Sequence, residues 1–153
     1  MNVSPSQTLA DFIGAIGADQ PTPGCGSAGA LALALAAACA RKSMIISARH
    51  RDGDPTLAAA ADRCAAISEA ALYGVALDAE HFAAFIHSHG GGKPVRDLRA
   101  DADALLAEAV ELRRLLSAHQ EVIDRSLAAD AAAALALTTA FEEIVRRNMV
   151  ELA

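Results

Sequence analysis

The run Ala28-Gly29-Ala30-Leu31-Ala32-Leu33-Ala34-Leu35-Ala36-Ala37-Ala38-Cys39-Ala40, closed by Arg41 and Lys42, decides the fold. Its leucines at 31, 33 and 35 alternate with period two, the mark of a half-buried strand. The residues between them are alanines, however, so the run is apolar on every side. Alanine is the strongest helix former and is depleted in strands. An all-apolar helix buried in a bundle is therefore the reading. Ser27 stands just before the run as its expected N-cap, and the helix is expected to reach about Arg49. The uncharged run falls short of the roughly 18 to 20 residues that a membrane span requires.

The rest of the composition agrees. Of 153 residues, 54% are hydrophobic but only 3% aromatic, with no Trp and one Tyr. Alanine supplies roughly a quarter of the chain, far above ordinary usage. Such a sequence reads as all-α, a single domain over 1–153 with about five helices. A net charge of −6 argues against nucleic-acid and anionic-membrane partners, which call for a basic surface. Alanines allow close helix approach but bury little area each, so long shared interfaces are needed. With few aromatic anchors, a homodimer pairing long Ala-rich helices is expected. A monomeric bundle is the alternative.

Proline and glycine divide the chain. Leu9, Phe12, Ile13 and Ile16 give a first helix over about Ser6 to Ala18. The turn Asp52-Gly53-Asp54-Pro55 precedes a third helix from near Thr56. Its face of Leu57, Ala61, Cys64, Ile67, Ala71 and Val75 continues towards Phe82, Phe85 and about His87. Gly90-Gly91-Gly92-Lys93-Pro94 is the next loop. Leu105, Ala109, Leu112, Leu116 and Ile123 mark a fourth helix, and Leu137, Phe141, Ile144, Val145 and Leu152 a fifth. A break is expected between Ser117 and Asp130, because one helix of nearly 60 residues is too long for a compact domain.

The segment Pro21-Thr22-Pro23-Gly24-Cys25-Gly26-Ser27 carries the most chemistry. Two prolines stiffen it, and glycines at 24 and 26 admit backbone angles denied to other residues. It leads into a helix N-terminus, whose free N–H groups favour an anion or a carbonyl. An ordinary interhelical turn would use the same residues.

This segment resembles the Pro-Thr-Pro-Gly-Gly-Gly-Ser signature of the formiminotetrahydrofolate cyclodeaminase and methenyltetrahydrofolate cyclohydrolase family, with Cys25 in place of the middle glycine. Leu77-Asp78-Ala79-Glu80-His81-Phe82 is similar to that family's Asp-Ala-Glu-x-Phe stretch. Asp130, with the small residues after it, echoes the start of its last helix. The chain is short for the family around Gly90 to Pro94, and no Asn-Pro-Asn stretch stands between Ser117 and Asp130.

The resemblance implies an all-helical dimer whose substrate is a tetrahydrofolate derivative, with no metal required. A methenyl group carries a cationic amidinium carbon that water can attack to give a formyl product; a formimino group can instead cyclise with loss of ammonia. Hydrolysis of 5,10-methenyltetrahydrofolate is the favoured activity. Either route needs a carboxylate to move a proton. The resemblance points to Asp78 for this, against a solvated surface acid; His81, near it by position, is a candidate for proton transfer, against the leading reading of a solvent-exposed histidine. Pro23, Gly24, Cys25, Gly26 and Ser27 would hold the ligand. Asp130 is a further binding candidate, or else a helix-start acid. Arg41 and Lys42, with Arg49 and Arg51, either complement a helix dipole or bind an anionic glutamate tail.

Other side chains have simpler readings. A thiol beside a helix N-terminus, as at Cys25, can be activated as a nucleophile or sensor. Cys39 and Cys64 are expected in the core. His81, His87 and His89 cluster, but their spacing specifies no metal site. Glu111 with Arg114, and Glu121 with Arg125, read as helix-surface pairs. Three cysteines are too few for a disulfide scaffold, and Met1 to Gln7 has no basic signal region, so a cytoplasmic location is expected. The rival to an enzyme is a non-catalytic helical dimer that binds a small molecule or a protein.

Overall fold

Thr8 opens the first helix by accepting a hydrogen bond from the Asp11 N–H at 3.2 Å. The computed structural model describes residues 8–88 and 92–151. Five α-helices follow in order: α1 Leu9–Ile16, α2 Cys25–His50, α3 Pro55–His87, α4 Lys93–His119 and α5 Ala128–Glu151. No strand occurs among the described residues. The outer ends expected for the first and fifth helices, Ser6 and Leu152, lie outside those residues, as do His89, Gly90 and Gly91.

Local chemistry accounts for most boundaries. Asp54 caps α3 by accepting from the Thr56 and Leu57 N–H groups at 2.8 and 3.3 Å, with Pro55 in the first turn. The turn before it uses left-handed backbone at Asp52 (φ 52°) and Gly53 (φ 81°). The expected break after Ser117 is real. A 3₁₀ turn, Arg125–Leu127, capped by Asp124, leads into α5. Ile123 therefore lies in the connection rather than on the fourth helix, and Glu121 and Arg125 do not share a helix surface. Arg114 and Glu111 do pair, at 2.7 Å on α4.

The Ala-rich α2 is the central helix, packed most extensively against α3 and then α5, with α4 packed mainly against α3 and also touching α5 and α2. Leu33, Ala36, Ala37, Ala40 and Met44 are fully buried on it. They meet Leu57, Ala61, Cys64, Ile67 and Ala71 of α3, Leu112 of α4 and Phe141 of α5 in one core. All six residues of the expected α3 face are buried. By length and mean hydropathy α2 could cross a bilayer, but half of its apolar window is buried inside the bundle. That is what a core helix looks like.

Ser27 is not the N-cap of α2. Gly24 occupies that position and offers no side chain, so the helix starts three residues earlier than its sequence suggests. Ser27 is instead wholly buried in the first turn. The reason lies on α3, which supplies the missing cap.

Candidate functional site

The N-terminus of α2 needs acceptors for its free N–H groups. Asp78, in the C-terminal half of α3, provides one. Its carboxylate accepts hydrogen bonds from the backbone and the hydroxyl of Ser27, the latter at 2.8 Å from Oδ2. The contact demands a glycine at 26, because a Cβ there would lie 2.0 Å from Asp78 Oδ1. Ser27, Gly26 and Asp78 thus form one interlocked unit across two helices.

Burial is the largest influence on Asp78 and pushes its carboxyl above the usual carboxylate range. The bonds from Ser27 pull it back down, and the negative charge of Asp101 adds to the rise. Ser27 Oγ also lies 3.2 Å from the Val75 carbonyl. A hydroxyl has one proton to donate. With Asp78 ionised, Ser27 donates to it; with Asp78 protonated, Ser27 can accept from it and turn its own proton to Val75. Both protonation states of Asp78 are satisfied by rotating one hydroxyl.

Asp78 opens onto a cleft of about 330 Å³. Pro21, Gly24, Cys25 and Gly26 form one lip, with Phe82 and Phe85 of α3, Leu98 and Leu105 of α4, and Phe141 and Met149 of α5 as apolar walls. The Phe82 and Phe85 rings stack with centroids 5.7 Å apart. Three acids line it, namely Asp78, Asp101 and Glu151, and no Lys or Arg does among the described residues. An apolar, acidic cleft of this size suits a flat ligand carrying positive charge.

The expected site residues separate into two groups. Gly24, Cys25, Gly26 and Asp78 line the cleft. Pro23, preceded by a cis peptide bond, and Ser27 are buried behind that lip. His81 also lies outside the lining; its Nδ1 is 2.5 Å from Asp101 Oδ2. Arg41, Lys42 and Asp130 are not brought to the cleft. Lys42 sits sixteen residues beyond Gly26 on α2, roughly 24 Å at the helical rise, and pairs with Asp130 at 2.8 Å. His87 Nδ1 lies 2.6 Å from the Ala83 carbonyl of its own helix. Among the described residues no group of three or more His, Cys, Asp or Glu side chains is arranged to hold a metal ion.

Asn148 and the acids Asp101 and Glu151 are cleft residues that escaped the sequence reading. Asn148 accepts a hydrogen bond from the Cys25 thiol at 3.1 Å, joining the lip to α5. Asp101 interrupts the apolar stripe of α4 between Leu98 and Leu105. An acid inside such a stripe is the signal that would have marked it.

Fold and cleft define the class: an all-α domain built on an alanine-rich central helix, with a carboxylate-lined cleft at that helix's N-terminus. Within it, this chain belongs to the Formiminotransferase-cyclodeaminase family, whose model matches residues 8–111, more than half its length. Among solved structures, it is similar to a formiminotetrahydrofolate cyclodeaminase from Thermotoga maritima, with a TM-score of 0.89 at 17% identity. That likeness covers 96% of this chain and 78% of the other, and it establishes the fold. No protein with a curated description matches the sequence.

Proposed function

We propose that this chain hydrolyses 5,10-methenyltetrahydrofolate to formyltetrahydrofolate. The observation that carries the reading is Asp78, a carboxyl raised by burial and held by Ser27 at the edge of an apolar, acidic cleft. Water adds to the cationic amidinium carbon, forming a C–O bond, and its proton passes to the Asp78 carboxylate. The protonated Asp78 then returns that proton to the departing ring nitrogen as the C–N bond breaks. The remaining hydroxyl proton goes to solvent, leaving a neutral formyl product. The rotating Ser27 hydroxyl supports Asp78 in both states. The cleft's acids attract the substrate cation and stabilise charge at the reacting carbon.

The same residues suit the related cyclisation. There a folate amine attacks the formimino carbon, its proton moves to the imine nitrogen, and Asp78 supplies the further proton with which ammonia leaves. The chain is read as a cytoplasmic protein and a homodimer; sedimentation equilibrium tests the dimer.

The Cys25–Asn148 contact favours a second reading. A side chain stands across the lip where the family signature has glycine, and a narrowed mouth suits a protein that binds without turnover. Titration with 5,10-methenyltetrahydrofolate, following binding and loss of the methenyl absorbance together, separates the two. Saturable binding with accelerated loss, abolished by Asp78→Asn, supports the hydrolase. Binding alone supports the binder, and neither removes the folate reading.

A further inference from the structure

Asp101 of α4 lines the same cleft as Asp78 of α3, and the proton transfers above do not use it. A half-buried carboxylate is costly unless it is paired. His81 supplies the pair, with Nδ1 2.5 Å from Oδ2 and both side chains 23% exposed. His81 follows Asp78 by three residues, so it rises from the same face of α3. The cleft therefore holds two carboxylates in different settings, one tied to a hydroxyl and the other to an imidazole. Pairs of acids in contrasting environments divide the work of proton transfer and charge stabilisation.

We propose that Asp101 is a second substrate-facing carboxylate of this site, held in place by His81 as its positioning residue, and that it selects a cationic carbon over a neutral one. The assignment rests on the folate reading above. Asp78 exchanges the proton, while Asp101 faces the substrate through both steps without taking part in the transfer. Other charged or titratable groups around this pair are Cys25 at the lip, Glu151 of α5, and Asp97 of α4 with its partner Lys93.

The test compares two ligands of nearly the same skeleton. 5,10-Methenyltetrahydrofolate is cationic at the one-carbon unit and 5-formyltetrahydrofolate is neutral there. Binding of each is measured for the wild-type protein and for Asp101→Asn, Asp101→Glu and His81→Gln, with thermal unfolding to check the fold. The wild type is expected to prefer the cation. Asp101→Asn should cut that preference about tenfold or more, as loss of a nearby charge requires, and leave the neutral ligand almost unaffected. Asp101→Glu should restore most of the preference, and His81→Gln should lose part of it. In turnover, the acid limb of the Asp101→Asn profile should move to lower pH, because a negative charge no longer lifts Asp78. If Asp101→Asn does not fold, the glutamate and His81 variants carry the same comparison.

A preference unchanged by these variants, an equal loss for both ligands, or a wild type that does not discriminate overturns the assignment and leaves the folate reading standing. A wild type that binds neither ligand removes the folate reading and the assignment together.

Discussion

An ideal Cβ on Gly26 would stand 2.0 Å from Asp78 Oδ1 and 2.6 Å from its Cγ. The clash falls on a short side chain whose position is the basis of the site. Gly26→Ala would by itself favour the first turn of α2, since alanine is the better helix former by about 1 kcal/mol. The protein can accept the methyl only by moving Asp78 away from Ser27. We therefore expect Gly26→Ala to fold with near-wild-type helicity by circular dichroism and to lose turnover about 100-fold, the scale of a misplaced catalytic group. Full activity in that variant would remove Asp78 from the mechanism.

The same carboxyl makes a prediction about stability. Burial raises its pKa in the folded state, so the folded protein binds a proton there more readily than the unfolded chain does. The resulting stability is fully present below the ordinary carboxylate value of 3.8 and is lost as pH rises through the folded value. At neutral pH the ionised Asp78 is a liability that Asn would not share. Asn can still accept from the Ser27 N–H. The melting temperature of Asp78→Asn, taken relative to wild type, should thus be higher at pH 7 than at pH 3.5, while turnover collapses. A difference independent of pH would contradict the burial argument.

Much of this architecture could be read without coordinates, where short-range chemistry decides. The face from Leu57 to Val75 keeps one period for five turns, and Asp54-Pro55 is both a cap and a first helical turn. The lip from Pro21 to Gly26 was legible because prolines and glycines act locally. The role of Ser27 was not. A serine at a helix start looks like a cap, and only α3 crossing at Asp78 turns it inward. Asp101 and Asn148 escaped for the same reason, as their meaning comes from partners 20 and 123 residues away. Ile123 kept the fourth helix's apolar pattern, yet the chain had already turned, because periodicity carries no stop signal.

Thiol chemistry should separate the three cysteines. Cys25 is exposed at the cleft lip, Cys39 is partly buried, and Cys64 is buried with its thiol pushed up to about 11 by desolvation. The reactive species is the thiolate, so both access and ionisation protect Cys64. Limited treatment with iodoacetamide, followed by peptide mass spectrometry, should label Cys25 first and leave Cys64 unlabelled until the protein unfolds. Prior addition of 5,10-methenyltetrahydrofolate should slow labelling at Cys25 alone. Equal labelling with and without that compound would place its binding site elsewhere.

The Lys42–Asp130 pair is exposed on the lysine side and stands roughly 24 Å along α2 from the lip. Asp130 raises the pKa of Lys42 through their hydrogen bond, so the lysine stays charged but already has a partner. Exposed pairs of this kind contribute little to stability. Lys42→Ala should leave the KM for a monoglutamyl folate unchanged within twofold and shift the melting temperature only slightly. A clear rise in KM would restore the tail-binding role for this cluster.

Phe141 joins core and cleft. Its side chain is 1% exposed and packs in the main hydrophobic cluster, yet it also forms part of the cleft floor. Truncation to alanine removes the largest buried side chain from a core otherwise filled mostly by alanines and leucines. Its neighbours have little bulk with which to fill the gap. Phe→Ala changes in cores cost about 3 to 5 kcal/mol, with the cavity contributing beyond transfer alone. Urea unfolding of Phe141→Ala should show a loss in that range with an unchanged m-value. The deepened floor should also weaken ligand binding while leaving the acid limb set by Asp78 in place, because the Ser27–Asp78 contact lies on other helices. Phe141→Leu, which keeps most of the volume, should recover most of both losses. If it recovers stability but not affinity, the ring itself contacts the ligand; recovery of neither would mean that the aromatic shape organises the α2–α5 packing.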